Sequence, residues 1–132
     1  MSDTKLPEDR RYTKSHEWIK IEGNEVTVGI SDHAQSELTD IVFVDLPAVG
    51  KAVTGGTSAL VLESVKTVAD VYAPVSGTIS AVNTELKGHP ELINQDPYGK
   101  GWIFKVLSTG PVSAAGFLDA AGYKATWTDG TH

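Results

Sequence analysis

The sequence predicts a mainly β protein, a compact sandwich or barrel of short strands, and two observations carry that expectation. Apolar and polar residues alternate over 18–30, and four short β-rich runs, 51–54, 58–63, 68–72 and 78–82, follow one another between breaks at Gly55-Gly56, Pro74 and Gly77. Short strands at close spacing, joined by turns, bury their apolar faces best against one another, as sandwiches or barrels. A chain of 132 residues has the size of one domain, and such a domain buries roughly two-thirds of the surface its unfolded chain exposes. No linker divides it, so a single domain over 1–132 is expected, with 1–11 a flexible lead-in and 126–132 a flexible tail.

Along the chain, Ile19 and Ile21 share one face of a first strand and Val26, Val28 and Ile30 one face of a second, with Gly23-Asn24 as the turn. Residues 31–38 predict a short helix. Ser31 and Asp32 are both possible caps, and Asp32 followed three residues later by Gln35 resembles a capping box. Within 38–46 the apolar run Ile41-Val42-Phe43-Val44 is continuous, which predicts a strand covered on both faces and deep in the fold, stopped by Pro47. Residues 85–94 have room for one or two helical turns, and Gly88 and Pro90 rule out a long helix. Trp102, Phe104 and Val106 alternate with Ile103, Lys105 and Leu107 in a last strand. After Pro111, Ser113 is the expected cap of a closing helix that places Phe117, Leu118, Ala121 and Ala125 on one side.

Composition narrows the function. A formal charge of −6 offers no basic stripe for phosphates, which makes nucleic acids and anionic membranes poor partners. The chain has no cysteine, so it forms no disulfide and has no thiolate nucleophile, and sulfur chemistry must be brought to it. Residues 1–14 mix acids and bases without the apolar block of a secretory signal. No run of about eighteen apolar residues occurs. The expected location is the cytoplasm, or an organelle matrix after removal of a transit peptide.

Catalytic patterns fail on context. His16, His33, His89 and His132 include no pair at metal-helix spacing, so no metal site is expected. Gly50-Lys51 lacks the preceding glycine of a phosphate loop, Gly99 and Gly101 open no βαβ unit, and Ser58 sits in no Gly-x-Ser-x-Gly elbow. The scattered acids, including Glu17 and Glu22, read as a solvated surface. An enzyme is the less expected outcome.

One segment stands apart: Leu62-Glu63-Ser64-Val65-Lys66-Thr67-Val68-Ala69-Asp70-Val71-Tyr72-Ala73-Pro74-Val75-Ser76-Gly77. It places Lys66 in a tight connection between two β-rich runs, where a hairpin tip would hold the side chain in solvent. On its own, such a lysine is an ordinary charged turn residue.

Its surroundings alter that reading. From residue 12 to about 107 the chain resembles the glycine cleavage H-protein family, in the lysine segment and in three further blocks. These are Tyr12-Thr13-Lys14-Ser15-His16-Glu17-Trp18; Val28-Gly29-Ile30-Ser31-Asp32-His33-Ala34-Gln35 continuing to Asp40-Ile41-Val42-Phe43-Val44-Asp45-Leu46-Pro47; and Asn94-Gln95-Asp96-Pro97-Tyr98-Gly99-Lys100-Gly101-Trp102. Four blocks in the family's order are specific where one would not be.

The resemblance implies a lipoyl/biotinyl-type barrel-sandwich hybrid, two small sheets related by approximate two-fold symmetry, with an N-terminal hairpin, short helices and a C-terminal helix. It implies lipoate amide-linked to Lys66. A lysine amine is a hydrated, unreactive ammonium at neutral pH; acylation removes the charge and adds a flexible tail ending in a dithiolane. A five-membered ring cannot adopt the disulfide dihedral near ±90°, so the dithiolane is strained and readily opened.

The implied partners are a pyridoxal-phosphate glycine decarboxylase (P protein), a tetrahydrofolate-dependent aminomethyltransferase (T protein), dihydrolipoamide dehydrogenase (L protein), and a lipoate-protein ligase or lipoyl/octanoyl transferase. The carrier is then their substrate, and it is expected to be a monomer. Glu63 matches an acidic family position and implies recognition by the lipoylating enzyme; its other reading is an exposed strand-end carboxylate. Val65 and Thr67 stand where biotin carriers place methionines, which favours lipoate. Matching positions imply that Ser15, Glu17 and Asp70, with His33, hold the ammonium end of the aminomethyl-loaded arm in a surface cleft. For His33 the competing reading is a helix-start histidine satisfied by local hydrogen bonds. Two other errands fit this framework less well: an H-like lipoyl donor that relays lipoate to oxoacid dehydrogenases, and a biotinyl carrier. A small β-rich hydrolase or binding module with an unmodified Lys66 lacks a nucleophile.

Overall fold

The structure, a computed structural model, describes residues 7, 9–113 and 116–128. Its first strands are β1 (Arg11–Tyr12), β2 (Glu17–Glu22) and β3 (Glu25–Ile30), followed by helix α1 (Asp32–Leu38). Strands β4 (Ile41–Val44), β5 (Ala52–Val53), β6 (Ser58–Ser64), β7 (Val68–Tyr72) and β8 (Gly77–Val82) come next. A 3-10 turn (Thr84–Lys87), the one-turn helix α2 (Leu92–Gln95), strand β9 (Phe104–Ser108) and helix α3 (Ala120–Thr128) complete the order.

The strands form two antiparallel sheets, one of six strands in the order β1-β2-β3-β9-β8-β5 and one of three in the order β4-β6-β7. The β2–β3 hairpin pairs as its alternation predicts, Glu22 opposite Glu25, with Gly23 supplying the positive φ of 68° at the turn. The N-terminal hairpin therefore extends the larger sheet, and the two sheets are unequal.

The core lies between them. Ile19, Val26, Val28, Ile79, Phe104 and Val106 of the larger sheet meet Ile41, Val44, Leu60, Leu62 and Val71 of the smaller one, all buried. Burial of each such side chain contributes roughly 1.5–3 kcal/mol, which makes this layer the main source of stability. A second cluster of Tyr12, Trp18 and Tyr123 occupies the other face of the larger sheet, because Trp18 and Ile19 are strand neighbours and point to opposite sides. The rings of Tyr12 and Tyr123 stack with centroids 4.9 Å apart, fastening α3 to β1.

Four expectations are corrected. The run at β4 is not covered on both faces: Ile41 and Val44 are buried, but Val42 and Phe43 are 51% and 50% exposed. A register shift between Ile41 and Phe43 breaks the alternation, and β4 is an edge strand with the other sheet on one side only. Next, the cap of α1 is Ser31, whose Oγ accepts from Ala34 N at 3.1 Å. Gln35 instead donates to the Asp32 carboxylate at 2.8 Å, inside the helix, so no capping box forms.

The closing helix also begins later than expected. Ser113 does not cap it; Asp119 Oδ1 accepts from Gly122 N at 2.7 Å, Phe117 and Leu118 precede α3, and Tyr123 within it is buried. Leu118 forms a bridge with Tyr12. Residues 116–118 precede the helix, which starts where Asp119 provides a cap. Finally, Arg10 and Arg11 belong to the folded body rather than to a lead-in. Arg11 pairs with Ile19, and the Arg10 guanidinium sits 4.6 Å from the Trp18 ring and donates to Tyr98 O at 2.9 Å. At the other end α3 runs to Thr128, and 129–132 lie outside the described residues, as do 1–6.

Gly29 lies opposite Trp18 in the β2–β3 ladder, and a Cβ there would lie 2.5–2.7 Å from the indole. Trp18 is held by its Nε1–H donating to Pro97 O at 2.8 Å, so the ring has no easy retreat. Gly29→Ala is expected to cost about 1–3 kcal/mol, measured as a lower urea midpoint at unchanged slope.

Candidate functional site

Strands β6 and β7 are joined through Val65, Lys66 and Thr67. Ser64 holds this connection from within. Its N–H donates to Thr67 O at 2.8 Å, and its Oγ accepts from Lys66 N at 3.1 Å and Thr67 N at 3.0 Å. The hydroxyl thus occupies the amides that a short loop would otherwise leave to water. Val65 N donates to Asp40 O at 3.0 Å, tying the loop to the residue before β4. Lys66 is exposed, and its Nζ donates to Glu37 O at 3.3 Å in the last turn of α1. That turn carries no basic residue of its own, and its free carbonyls attract a cation.

Asn94, in α2, braces the platform from the far side. Its Oδ1 accepts from Ile41 N at 2.9 Å, and its Nδ2 donates to Thr39 O at 2.7 Å and to Gln35 Oε1 at 3.0 Å. Thr39 closes α1 with φ 63° and ψ −148°, a conformation a β-branched residue adopts at a cost, so its carbonyl needs a fixed partner. Asp40, whose carbonyl receives Val65 N, sits between Thr39 and Ile41, both held by Asn94.

Beside the loop lies a cleft of about 150 Å³. Ile30, Leu38, Leu62 and Val71 give it an apolar lining, and Ser15, His16, His33, Glu37 and Asp70 supply its polar groups. Glu37 links the two features, because it lines the cleft and its carbonyl meets Lys66 Nζ. Ser15, His33 and Asp70 are thus brought together. Asp70 accepts from Ser58 Oγ at 2.8 Å.

Glu17 is placed elsewhere. Only 1% exposed, its carboxylate accepts from Thr13 Oγ1, from Ser15 Oγ at 2.5 Å and from Tyr72 N at 3.0 Å. It lines a separate depression of about 500 Å³ with Tyr12, Tyr72 and Phe117. Its connection to the cleft is through Ser15, which borders both spaces.

His16 joins the cleft in a position that sequence reasoning missed; its adjacency to Ser15 was the only signal. It takes a φ of 75°, its ring centroid lies 5.1 Å from that of His33, and its Nδ1 is 2.7 Å from Tyr123 Oη. Tyr123 Oη also bonds Ser31 Oγ at 2.6 Å, connecting the cleft wall to the α1 cap and to α3. Burial, and secondarily the nearby His33, hold His16 below its ordinary pKa, while Glu37 opposes them. The recognition candidates flank the lysine: Glu63 is exposed three residues before it, and Val65 and Thr67 are exposed on either side. Ser64 and Asn94 escaped notice because each acts through backbone groups brought together only by folding.

Two facing antiparallel sheets, with an exposed lysine at the tip of a braced hairpin, define a carrier domain of the barrel-sandwich type. The family model described as glycine cleavage H-protein matches residues 10–130, and the chain belongs to that family. It is similar to the glycine cleavage system H protein of Aeromonas hydrophila, 53% identical over 120 residues that cover 90% of this chain and 93% of the relative. The Deinococcus radiodurans protein of the same name is 53% identical over 122 residues, covering 92% and 97%. A solved glycine cleavage system H protein from Mycobacterium marinum superposes with a TM-score of 0.84 at 42% identity, covering 94% of this chain and 99% of that one.

Two outcomes are expected at this site. Asn94→Ala should lower stability by about 1–2 kcal/mol in urea, since it strands the Ile41 amide and the Thr39 carbonyl, and should speed hydrogen exchange at the Val65 amide. The His16 effect has a definite sign. The unfolded chain protonates His16 near its ordinary value of 6.5 and the folded chain only at lower pH. Protons then favour the unfolded state, and stability falls as pH drops through that window, with no contribution above it. Thermal melts between about pH 7.5 and 5.5 should show a smaller loss for His16→Gln than for the parent.

Proposed function

We propose that Lys66 is the lipoyl attachment site and that the chain serves as the lipoyl carrier of a glycine cleavage system. The observation that carries this reading is the exposed lysine on a loop fixed by Ser64 and Asp40, beside a cleft with an apolar lining and polar groups. The residues fit such a group: Nζ is open to an acylating enzyme, and the aliphatic part of an arm matches the lining from Ile30, Leu38, Leu62 and Val71. When bound, the dithiolane supplies the redox-active acceptor for the aminomethyl group of glycine.

The chain's own residues supply position. The β6–β7 loop fixes the base of the arm, and the cleft offers shelter at its edge. Ser15, His33 and Asp70 are the groups assigned to hold a cationic end there. Glu17 contributes by orienting Ser15 rather than by direct contact, since its carboxylate is already engaged three times. Glu63, Val65 and Thr67 are assigned to recognition by the lipoylating enzyme.

In this role the protein is handed from the P protein to the T protein and is reoxidised by the L protein, as a substrate of all three rather than an enzyme. A lipoate-protein ligase or a lipoyl/octanoyl transferase loads it. No helix among the described residues is long and apolar enough to cross a membrane. The cytoplasm of a bacterium is the proposed location.

Intact-mass measurement of protein from lipoate-fed cells is expected to show one added lipoyl group, absent in Lys66→Ala. An unmodified parent in cells with an active ligase would overturn the assignment.

A further inference from the structure

The outer face of the smaller sheet presents a row of three side chains beside the lysine loop. Glu63 pairs with Phe43 of β4 on one side and with Val68 of β7 on the other, and cross-strand partners share a face. Phe43 is 50% exposed and Val68 62%, and Val65 in the loop reaches 68%. Val65 is in the loop, Val68 opens β7 just after it, and Phe43 of β4 pairs with Glu63 near the end of β6, so the patch and the lysine form one surface. In the opposite row, Val44 and Leu62 pack into the core and Ala69 lines the cleft, and they account for none of this exposure.

The register shift in β4 is what turns Phe43 outward. Phe43 keeps half of its surface exposed on this edge strand, next to a carboxylate and two valines. Strands β4, β6 and β7 contain no lysine, arginine or histidine, while Glu63 and Asp70 are acidic. The patch is therefore apolar with the acidic Glu63 at its centre, while Lys87 stands beside Phe43 at its outer edge, and it is complementary to an apolar surface that carries a basic group opposite Glu63.

Reach identifies which partner must touch it. An enzyme that acylates Nζ has to bring its reacting carbonyl to within a lysine side chain's length of the loop backbone. Enzymes that act on the dithiolane meet the far end of a longer arm and can work at a distance from the sheet. We propose that Phe43, Glu63 and Val68, with Val65, form the docking surface for the lipoylating enzyme, whose contact is apolar with a basic group facing Glu63. This inference rests on the assignment of Lys66 as the attachment site.

The test uses the full chain, lipoate, ATP and a lipoate-protein ligase, with loading followed by intact mass. Phe43→Ser and Val68→Ser are each expected to raise the KM for the carrier about tenfold, with kcat little changed, whereas Val49→Ser, exposed elsewhere, leaves both at parental values. Once loaded to completion, the two variants are expected to be reduced by dihydrolipoamide dehydrogenase with parental kinetics, which separates docking from damage to the fold. Parental KM values for loading of both variants would overturn the docking surface while leaving Lys66 intact as the site. An equal loss in loading and in reduction would overturn it too. Failure of the parent to gain a lipoyl group would instead remove the attachment site on which the surface depends.

Discussion

A buried carboxylate holds the two sheets in register at the side of the cleft. Glu17 begins β2 in the larger sheet, yet one of its oxygens takes the backbone amide of Tyr72, at the end of β7 in the smaller sheet. A charge removed from water is tolerated only when its acceptor sites are filled, and Thr13 and Ser15 fill the other oxygen. The same bonds shape the loop between β1 and β2, where His16 takes its left-handed backbone and turns toward His33. The cleft wall, the position of Ser15 and the end of the β7 edge thus depend on one side chain. Substituting it would leave an amide and two hydroxyls in search of partners.

From that clip outward, the molecule separates what must be fixed from what must move. The β6–β7 loop is held by Ser64 inside it, by Asp40 beside it and, behind Asp40, by Asn94. None of these contacts involves the lysine side chain beyond its backbone amide. A carrier benefits from this division, because partners then find the base of the arm in one place while its tip remains free.

Much of this was readable in the chain. Alternation located the β2–β3 hairpin and β9, and β-rich runs between glycine and proline breaks located β5 to β8. Lys66 stood out through the four blocks around it. What could not be read depended on pairing. The apolar run at β4 looked like a strand covered on both sides, and only the register shift and the edge position explain why Phe43 faces outward. Helix α3 lacks an apolar stripe strong enough to announce its start, so the sequence points to Ser113 for the cap that Asp119 provides. Glu17 matched a cleft residue by position, but its engagement with Tyr72 depends on β7, more than fifty residues away in the chain. Asn94 joins α1, β4 and α2 through backbone groups, which leave no trace in residue type.

The ammonium of Lys66 rests against the carbonyl end of α1 through Glu37. Under the proposed assignment, amide formation at Nζ would abolish the positive charge and leave a single N–H, so the electrostatic pull of the helix end on that nitrogen would disappear. The free lysine has a parking place, and a reaction that lengthened it would also dissolve the attraction that keeps it there. The unloaded form is tethered twice, by its own backbone and by its helix; a loaded form would be tethered once.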